Sequence, residues 1–273
     1  MHETDNASAR GAPIDHASAS RIAKQAAKQG GEAALGYYRS ISEGDTKDGK
    51  TDYVTVADLE AQEKAIQVIS EQRPDDSIVG EEEGALKEVP TDGACWIIDP
   101  IDGTSNFVRG ASTWTTSVAF VYDGEPIAAA NYLPAAGDMY VADTEIRRNG
   151  ETVSVSDVTD REVFKVVPTV WWGYHRRDEF SEITKRILTN FGDMHRLGSV
   201  QAVLSMVASG AFEAAVTNVE VNPWDSVAGV HMVRCAGGKV TDADGDRWTP
   251  GSVGLVASNG HEHEAVRKTV DSL

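Results

Sequence analysis

The sequence predicts a mixed chain: an α+β half around an antiparallel sheet up to about residue 160, then an α/β half of alternating helices and strands to residue 273. Two observations carry this. Residues 117–122, 126–132 and 138–142 have strand character and are joined by the turn dipeptides Asp123-Gly124 and Ala136-Gly137. From Arg177 onward, helical periodicity alternates with short apolar runs. No repeat or low-complexity linker separates the halves, so residues 1–160 and 161–273 are expected to pack tightly as one functional unit.

Residues 16–40 place Ile22, Ala23, Ala26, Ala27, Ala33, Ala34, Leu35 and Tyr38 on one helical stripe, with Lys24, Lys28 and Glu32 outside it. Gly30-Gly31 is expected to weaken the middle of that helix and to kink it. Residues 43–53 lack hydrophobic periodicity and read as a solvated loop. Residues 58–71 form a second helix with Leu59, Ala65, Ile66, Val68 and Ile69 inward, ended by Pro74. Residues 77–79 are a strand, and residues 96–98 a buried strand that should stop at Asp99, because Pro100 restricts the residue before it. Arg148-Asn149-Gly150 is a turn, and residues 163–170 a further strand.

In the second half, residues 178–190 are helical with Phe180, Ile183, Ile187 and Leu188 inward. Residues 195–197 are a short strand, 199–209 an apolar helix and 211–217 a strand. Pro223 opens a helix that reaches Cys235. Residues 238–240 and 253–257 are strands, and 260–270 a final helix.

Composition narrows the partners. The formal net charge is −18, from 43 acidic against 25 basic side chains. That surface repels nucleic acid and anionic membranes, and it is also how proteins stay soluble in high salt, so a halophilic source is expected. Cys95 and Cys235 read as buried free thiols, which suits a reducing compartment. No apolar run approaches the roughly 20 residues of a membrane span. Residues 1–15 carry no hydrophobic signal region, so a cytoplasmic protein is expected.

Two blocks carry the chemistry. In Trp96-Ile97-Ile98-Asp99-Pro100-Ile101-Asp102-Gly103-Thr104-Ser105-Asn106-Phe107, an apolar run ends in two carboxylates three residues apart. Gly103 permits a tight turn and leaves its N–H open, and Thr104 or Ser105 can cap a following helix. Two acids beside a helix N-terminus suit a hard cation and a phosphate; taken alone, the block reads equally well as a polar turn with Asx hydrogen bonds. The second block is Asn222-Pro223-Trp224-Asp225-Ser226-Val227-Ala228-Gly229, with Pro at a helix start and an acid in the first turn.

With both blocks on one chain, the sequence resembles the inositol monophosphatase family of metal-dependent sugar phosphatases. Lys50-Thr51-Asp52-Tyr53-Val54-Thr55-Val56-Ala57-Asp58 is similar to the family's first acidic block, and Gly80-Glu81-Glu82 to its Gly-Glu-Glu element. Asp99 to Phe107 matches its Asp-Pro-Ile/Leu-Asp-Gly-Thr-x-Asn-Phe signature. Leu197-Gly198-Ser199 and Trp224-Asp225-x-x-Ala-Gly match its later blocks. The resemblance implies a layered αβαβα sandwich. It implies that Glu81, Asp99 and the Ile101 carbonyl hold one Mg²⁺, that Asp99, Asp102 and Asp225 hold a second, and that Glu81 faces a weak third through water. Asp52 and Thr104, with Glu81, would then position and activate the attacking water, and the N–H groups of Gly103 and Thr104 would cradle the phosphate. The Gly198-Ser199 turn would lie on the substrate side. Asn218 stands where the family carries a Glu that touches sugar hydroxyls, with Glu220, two residues on and so on the same face of a strand, as the alternative. A homodimer is implied too.

The activity this implies is a Mg²⁺-dependent phosphomonoesterase for a small sugar or polyol phosphate, inositol 1-phosphate and/or fructose 1,6-bisphosphate. The alternatives are a 3'(2'),5'-bisphosphate nucleotidase or other nucleotide phosphatase, and a non-catalytic metal- or phosphate-binding homologue. The presence of Asp52, Glu81, Asp99, Asp102, Thr104 and Asp225 together favours the enzyme. No Walker loop, Gly-x-Ser-x-Gly elbow or Cys-x5-Arg loop is present, which disfavours a covalent route. His175-Arg176-Arg177 reads either as a counter-charge for a second phosphate or as a solvated cluster. His261-Glu262-His263-Glu264 reads as a surface helix cap, and Trp171-Trp172 as packing at an interface or over the site mouth.

Overall fold

A computed structural model of the chain describes residues 14–40, 45–46, 53–54, 56–170 and 172–273. Helix α1 (His16–Tyr37) starts where the Asp15 carboxylate accepts a hydrogen bond from the Ser18 N–H, and it packs along α2 (Val56–Gln72). Between them β1 (Asp45–Thr46) and β2 (Tyr53–Val54) pair antiparallel. The sequence reads that stretch as loop, because two-residue strands are too short to show a period.

The first half continues with β3 (Ser77–Gly80), β4 (Ala94–Asp102), α3 (Thr104–Val108), β5 (Thr115–Tyr122), β6 (Glu125–Leu133), β7 (Asp138–Ala142), β8 (Ile146–Arg148) and β9 (Glu151–Thr152). Strands β3 to β9 form a seven-stranded sheet in sequence order, with β3 parallel to β4 and the later pairs antiparallel. The second half comprises β10 (Lys165–Pro168), α4 (Arg177–Asn190), β11 (Asp193–Met194), α5 (Val200–Ala208), β12 (Ala214–Thr217), α6 (Pro223–Cys235), β13 (Lys239–Thr241), β14 (Leu255–Ser258) and α7 (His263–Arg267). Its five strands order as β11-β10-β12-β14-β13, with β10 parallel to both neighbours and β14 antiparallel to both.

Alternating residues of β4 show how the layers stack. Trp96 and Ile98 pack with Ile22, Ala23 and Ala26 of α1 and Ala65 of α2. Cys95 and Ile97 belong to the opposite cluster, with Val203 and Leu204 of α5, Val230 and Val233 of α6, and Ala215 and Ala257 of the second sheet. The far face of that sheet, Val166, Ala214, Val216 and Val256, packs on Ile183 and Ile187 of α4 and Val266 of α7. The layers are therefore αβαβα. Both faces of the large sheet are covered, so β5 is buried from Thr115 to Val121 and its side chains alternate between two interiors, not between core and water.

Several expectations are corrected. Helix α1 runs unbroken through Gly30-Gly31 because both glycines sit in close contacts. A Cβ on Gly30 would lie 2.8 Å from the Ala61 carbonyl oxygen, and one on Gly31 would lie 2.6 Å from the Tyr132 ring. Leu35, Leu59 and Leu188 are exposed instead of inward. In α2 the inner face is Ala57, Asp58, Ala61, Gln62, Ala65 and Ile69; hydrophobicity places Ala65 and Ile69 there and misses the polar Asp58 and Gln62. Residues 195–197 are irregular, the short strand being Asp193–Met194. The last helix is only His263–Arg267. Strand β4 does not stop at Asp99 but continues to Asp102 through an irregularity that shapes the site.

Candidate active site

In a regular strand, residues three apart point to opposite faces. Asp99 pairs with Ser117 and Asp102 with Thr115, so β4 spends one residue more than β5 across this interval. That is a β-bulge, and it re-aims the side chains beyond it. Pro100 has no N–H to contribute to a ladder, while its carbonyl accepts the Thr116 hydroxyl at 2.7 Å. Carboxylate oxygens of Asp99, Asp102 and Asp225 then lie within 4.8 Å of one another.

Each carboxylate is positioned differently. Asp102 caps α5: its Oδ2 accepts from the Ser199 hydroxyl and from the Gln201 N–H at 2.6 Å, and its Oδ1 accepts from the Val200 N–H at 3.1 Å. Burial pushes its pKa up to about 6 against the pull of those donors. Asp99 is buried, and neither carboxylate oxygen has a hydrogen-bond partner among the described residues. Burial first, then the charges of Glu81, Asp102, Asp225 and Asp58, hold its carboxyl well above the usual carboxylate range. Asp225 lies in the first turn of α6, and its Oδ2 accepts from the Asn222 amide at 2.9 Å.

Glu81 comes from the turn after β3. The Lys87 ammonium donates to the carbonyls of Gly80, Glu81 and Glu82 at 2.8, 2.7 and 2.9 Å. The same ammonium sits 5.5 Å from the centre of the Trp224 ring, next to Asp225. The Gln62 side chain accepts from the Glu82 N–H at 2.9 Å. Motif spacing gives no sign of Lys87 or Gln62, whose signals are a lone cation and a polar residue on a helix face.

After the bulge, Thr104 donates its hydroxyl to the Ile101 carbonyl at 3.0 Å. Gly103 has φ +92°, and a Cβ there would stand 3.0 Å from the Gly198 carbonyl oxygen and 3.1 Å from the Ser199 Cβ. Gly103→Ala is therefore expected to cost about 1–3 kcal/mol and to lower activity by prising the two turns apart. Thermal unfolding and an activity assay check this; a variant as stable and active as the parent would contradict it.

The residues expected on the substrate side divide. Ser199 holds Asp102. Asn218 is buried with both ends of its amide engaged: its Oδ1 accepts the Trp172 indole N–H at 2.7 Å and its Nδ2 donates to Glu179 at 2.6 Å. Glu220 is exposed beyond the end of β12, so no strand face relates it to Asn218. Arg176 pairs with Glu179 at 2.9 and 2.7 Å, and Arg177 lies over the Tyr174 ring. His263 is buried, bonded to Thr241 and Ser258, and so is an interior group and not a surface cap. Asp52 and Trp171 lie outside the described residues.

A buried carboxylate with no donor among the described residues, beside four further acids, is costly unless a cation joins it. An all-oxygen donor set of this kind suits a hard divalent ion. Residues 15–273 match the inositol monophosphatase family. The chain belongs to that family. This inositol monophosphatase family member is 32% identical over 228 residues to the fructose-1,6-bisphosphatase/inositol-1-monophosphatase of Aquifex aeolicus, covering 81% of this chain and 84% of that one. It is 32% identical over 250 residues to a histidinol-phosphatase of Chlorobaculum parvum, covering 88% and 91%. Among solved structures, the Thermotoga maritima IMPase superposes with a TM-score of 0.81 at 30% identity over 92% of this chain and 94% of that one. The family's members are metal-dependent phosphatases, and this member carries an acidic cluster able to hold a metal.

Proposed function

We propose that the protein is a Mg²⁺-dependent phosphomonoesterase acting on a small sugar or polyol phosphate, inositol 1-phosphate and fructose 1,6-bisphosphate foremost. The observation that carries this reading is the buried Asp99 carboxylate, without a donor among the described residues and set beside Asp102 and Asp225. Glu81, Asp99 and the Ile101 carbonyl would hold one ion, and Asp99, Asp102 and Asp225 a second, with a weaker third beside Glu81. When bound, the metal supplies Lewis acidity and charge neutralisation for an in-line displacement at phosphorus. Thr104, whose hydroxyl proton is given to the Ile101 carbonyl, keeps oxygen lone pairs for a water. Asp52 is assigned beside it as the second group that orients that water. The N–H groups of Gly103 and Thr104 are assigned to the phosphate oxygens. Water oxygen bonds to phosphorus, the ester P–O bond breaks, and the alcohol leaves with a proton.

The alcohol side is assigned to the Gly198-Ser199 turn, Asn218 and Glu220. The names of the relatives span bisphosphate, inositol phosphate and histidinol phosphate esters, so the test is a panel. Phosphate release is measured from inositol 1-phosphate, fructose 1,6-bisphosphate, histidinol phosphate and 3'-phosphoadenosine 5'-phosphate, with Mg²⁺ and with EDTA. Release from a sugar or polyol ester that EDTA abolishes is the expected result. Preference for the nucleotide would favour the nucleotidase reading, and silence on every ester the binding-protein reading.

The same reading takes residues 1–160 and 161–273 as halves of one unit. It includes a homodimer, to which exposed Val56, Leu59 and Leu86 offer apolar surface. The free thiols Cys95 and Cys235 support a reducing, cytoplasmic setting. The charge of −18 supports a high-salt one.

A further inference from the structure

Gln201 has a fully buried side chain in the layer between the two sheets. A glutamine there is costly unless every polar atom is bonded, and an apolar residue of similar volume would pack at less cost. Its bonds run to one place. The main-chain N–H of Gln201 holds Asp102 Oδ2 at 2.6 Å. Its side-chain Nε2 donates to the Trp224 carbonyl at 2.6 Å, and its Oε1 accepts from the Gly229 N–H at 2.8 Å. Trp224 and Gly229 lie one residue before and four residues after Asp225, so the amide brackets the turn of α6 that carries that ligand. Gly229 permits the approach: a Cβ there would lie 2.9 Å from Gln201 Oε1 and 2.5 Å from the Leu204 Cβ.

The third ligand is tied in through the sheet. Asp99 pairs across β5 with Ser117, which pairs across β6 with Asn131. Directly opposed residues share a face. Asn131 is fully buried, and its Nδ2 donates to Gln201 Oε1 at 3.1 Å.

We infer that Gln201 is a positioning residue: it fixes Asp225 on α6 relative to Asp102 at the start of α5, and through Asn131 relative to the sheet row that carries Asp99. It touches neither substrate nor metal. Its role rests on the metal-binding reading above. Groups that orient first ligands typically change metal affinity about 10–100-fold when removed.

The test titrates Mn²⁺ calorimetrically into the full chain as wild type, Gln201→Met, Gln201→Asn and Ser205→Ala, with thermal unfolding of each in EDTA. Met keeps the volume and removes the bonds. Asn keeps an amide but is one methylene too short to span to α6. Ser205 donates to the Gln201 carbonyl at 2.8 Å and accepts from the Asn131 amide at 2.9 Å, but it reaches neither Trp224 nor Gly229, so it tests the bracket on α6 apart from the link to the sheet. The expected result is Mn²⁺ binding weakened about 10–100-fold in both Gln201 variants and unchanged in Ser205→Ala. Folded Gln201→Met that binds as wild type does overturns the inference, and so does equal weakening in Ser205→Ala, which would mean only that core polarity matters. If Gln201→Met does not fold, Gln201→Asn decides by the same criterion. A wild-type chain that binds no Mn²⁺ would instead remove the metal site itself, a distinct outcome.

Discussion

Asp102→Asn is expected to lower metal-dependent phosphate release by about 10³-fold or more, since a metal's charge stabilises such a transition state by several kcal/mol. The reason lies in what Asp102 does at once. It is one of three carboxylates within 4.8 Å, and it is the acceptor for the Ser199 hydroxyl and the N–H groups of Val200 and Gln201. An asparagine loses the charge and turns one acceptor into a donor, which then faces a backbone N–H. Loss of a cap costs about 1 kcal/mol, or about 2–4 °C of melting temperature for a chain of this size. Activity should therefore vanish while the protein remains folded. Phosphate release with Mg²⁺ and a melting curve read the two effects separately. Retained activity would sink the assignment of Asp102 to the metal.

Asp99→Asn should abolish activity as completely and yet stabilise the metal-free protein, by about 2 kcal/mol or more at pH 8. Asp99 and Asp102 both have carboxyl pKa values raised above those of the unfolded chain, Asp102 to about 6 and Asp99 well above the ordinary range. At these two groups the folded state therefore binds more protons than the unfolded one. Their contribution to stability is fully present below about pH 4, where both states are protonated. It falls as pH rises through these folded pKa values. In EDTA the melting advantage of Asp99→Asn over the parent should be larger at pH 8 than at pH 5, and added Mg²⁺ should recover the parent's loss. The general repulsion from a net charge of −18 acts alike on parent and variant, so their difference isolates the site. Equal melting of the two at pH 8 in EDTA would refute this.

The sequence carried the fold class because its signals are local. Turn dipeptides and a change of period mark the meander and the alternating half. The identity of the three clustered acids was legible too, since Asp99, Asp102 and Asp225 stand in recognisable blocks. The way they meet was not. The bulge at Pro100 depends on register against β5, which no single strand encodes, and Pro100 looked like a stop. Gln201 looked like one polar residue in an apolar helix; its bonds to Asp102, Asn131, Trp224 and Gly229 join elements far apart in the chain. Leu59 was placed inward by hydrophobicity, while the polar Asp58 and Gln62 take the inner face because the site lies there. Asn218 illustrates the same limit: its amide is turned to Trp172 and Glu179 by a loop whose course no periodicity describes.

The clamp that Lys87 forms on the turn after β3 is made entirely to main-chain oxygens of Gly80, Glu81 and Glu82. Such a contact is blind to side-chain identity. Substitutions at exposed Glu83, or at other neighbours that leave the backbone path alone, do not weaken it. The turn that presents Glu81 is thereby insulated from sequence drift around it, with Lys87 and the Gln62 amide carrying the constraint. That lysine also faces Trp224. The acidic turn and the helix bearing Asp225 therefore share one cation, beside the separate holds of Gln62 and Gln201.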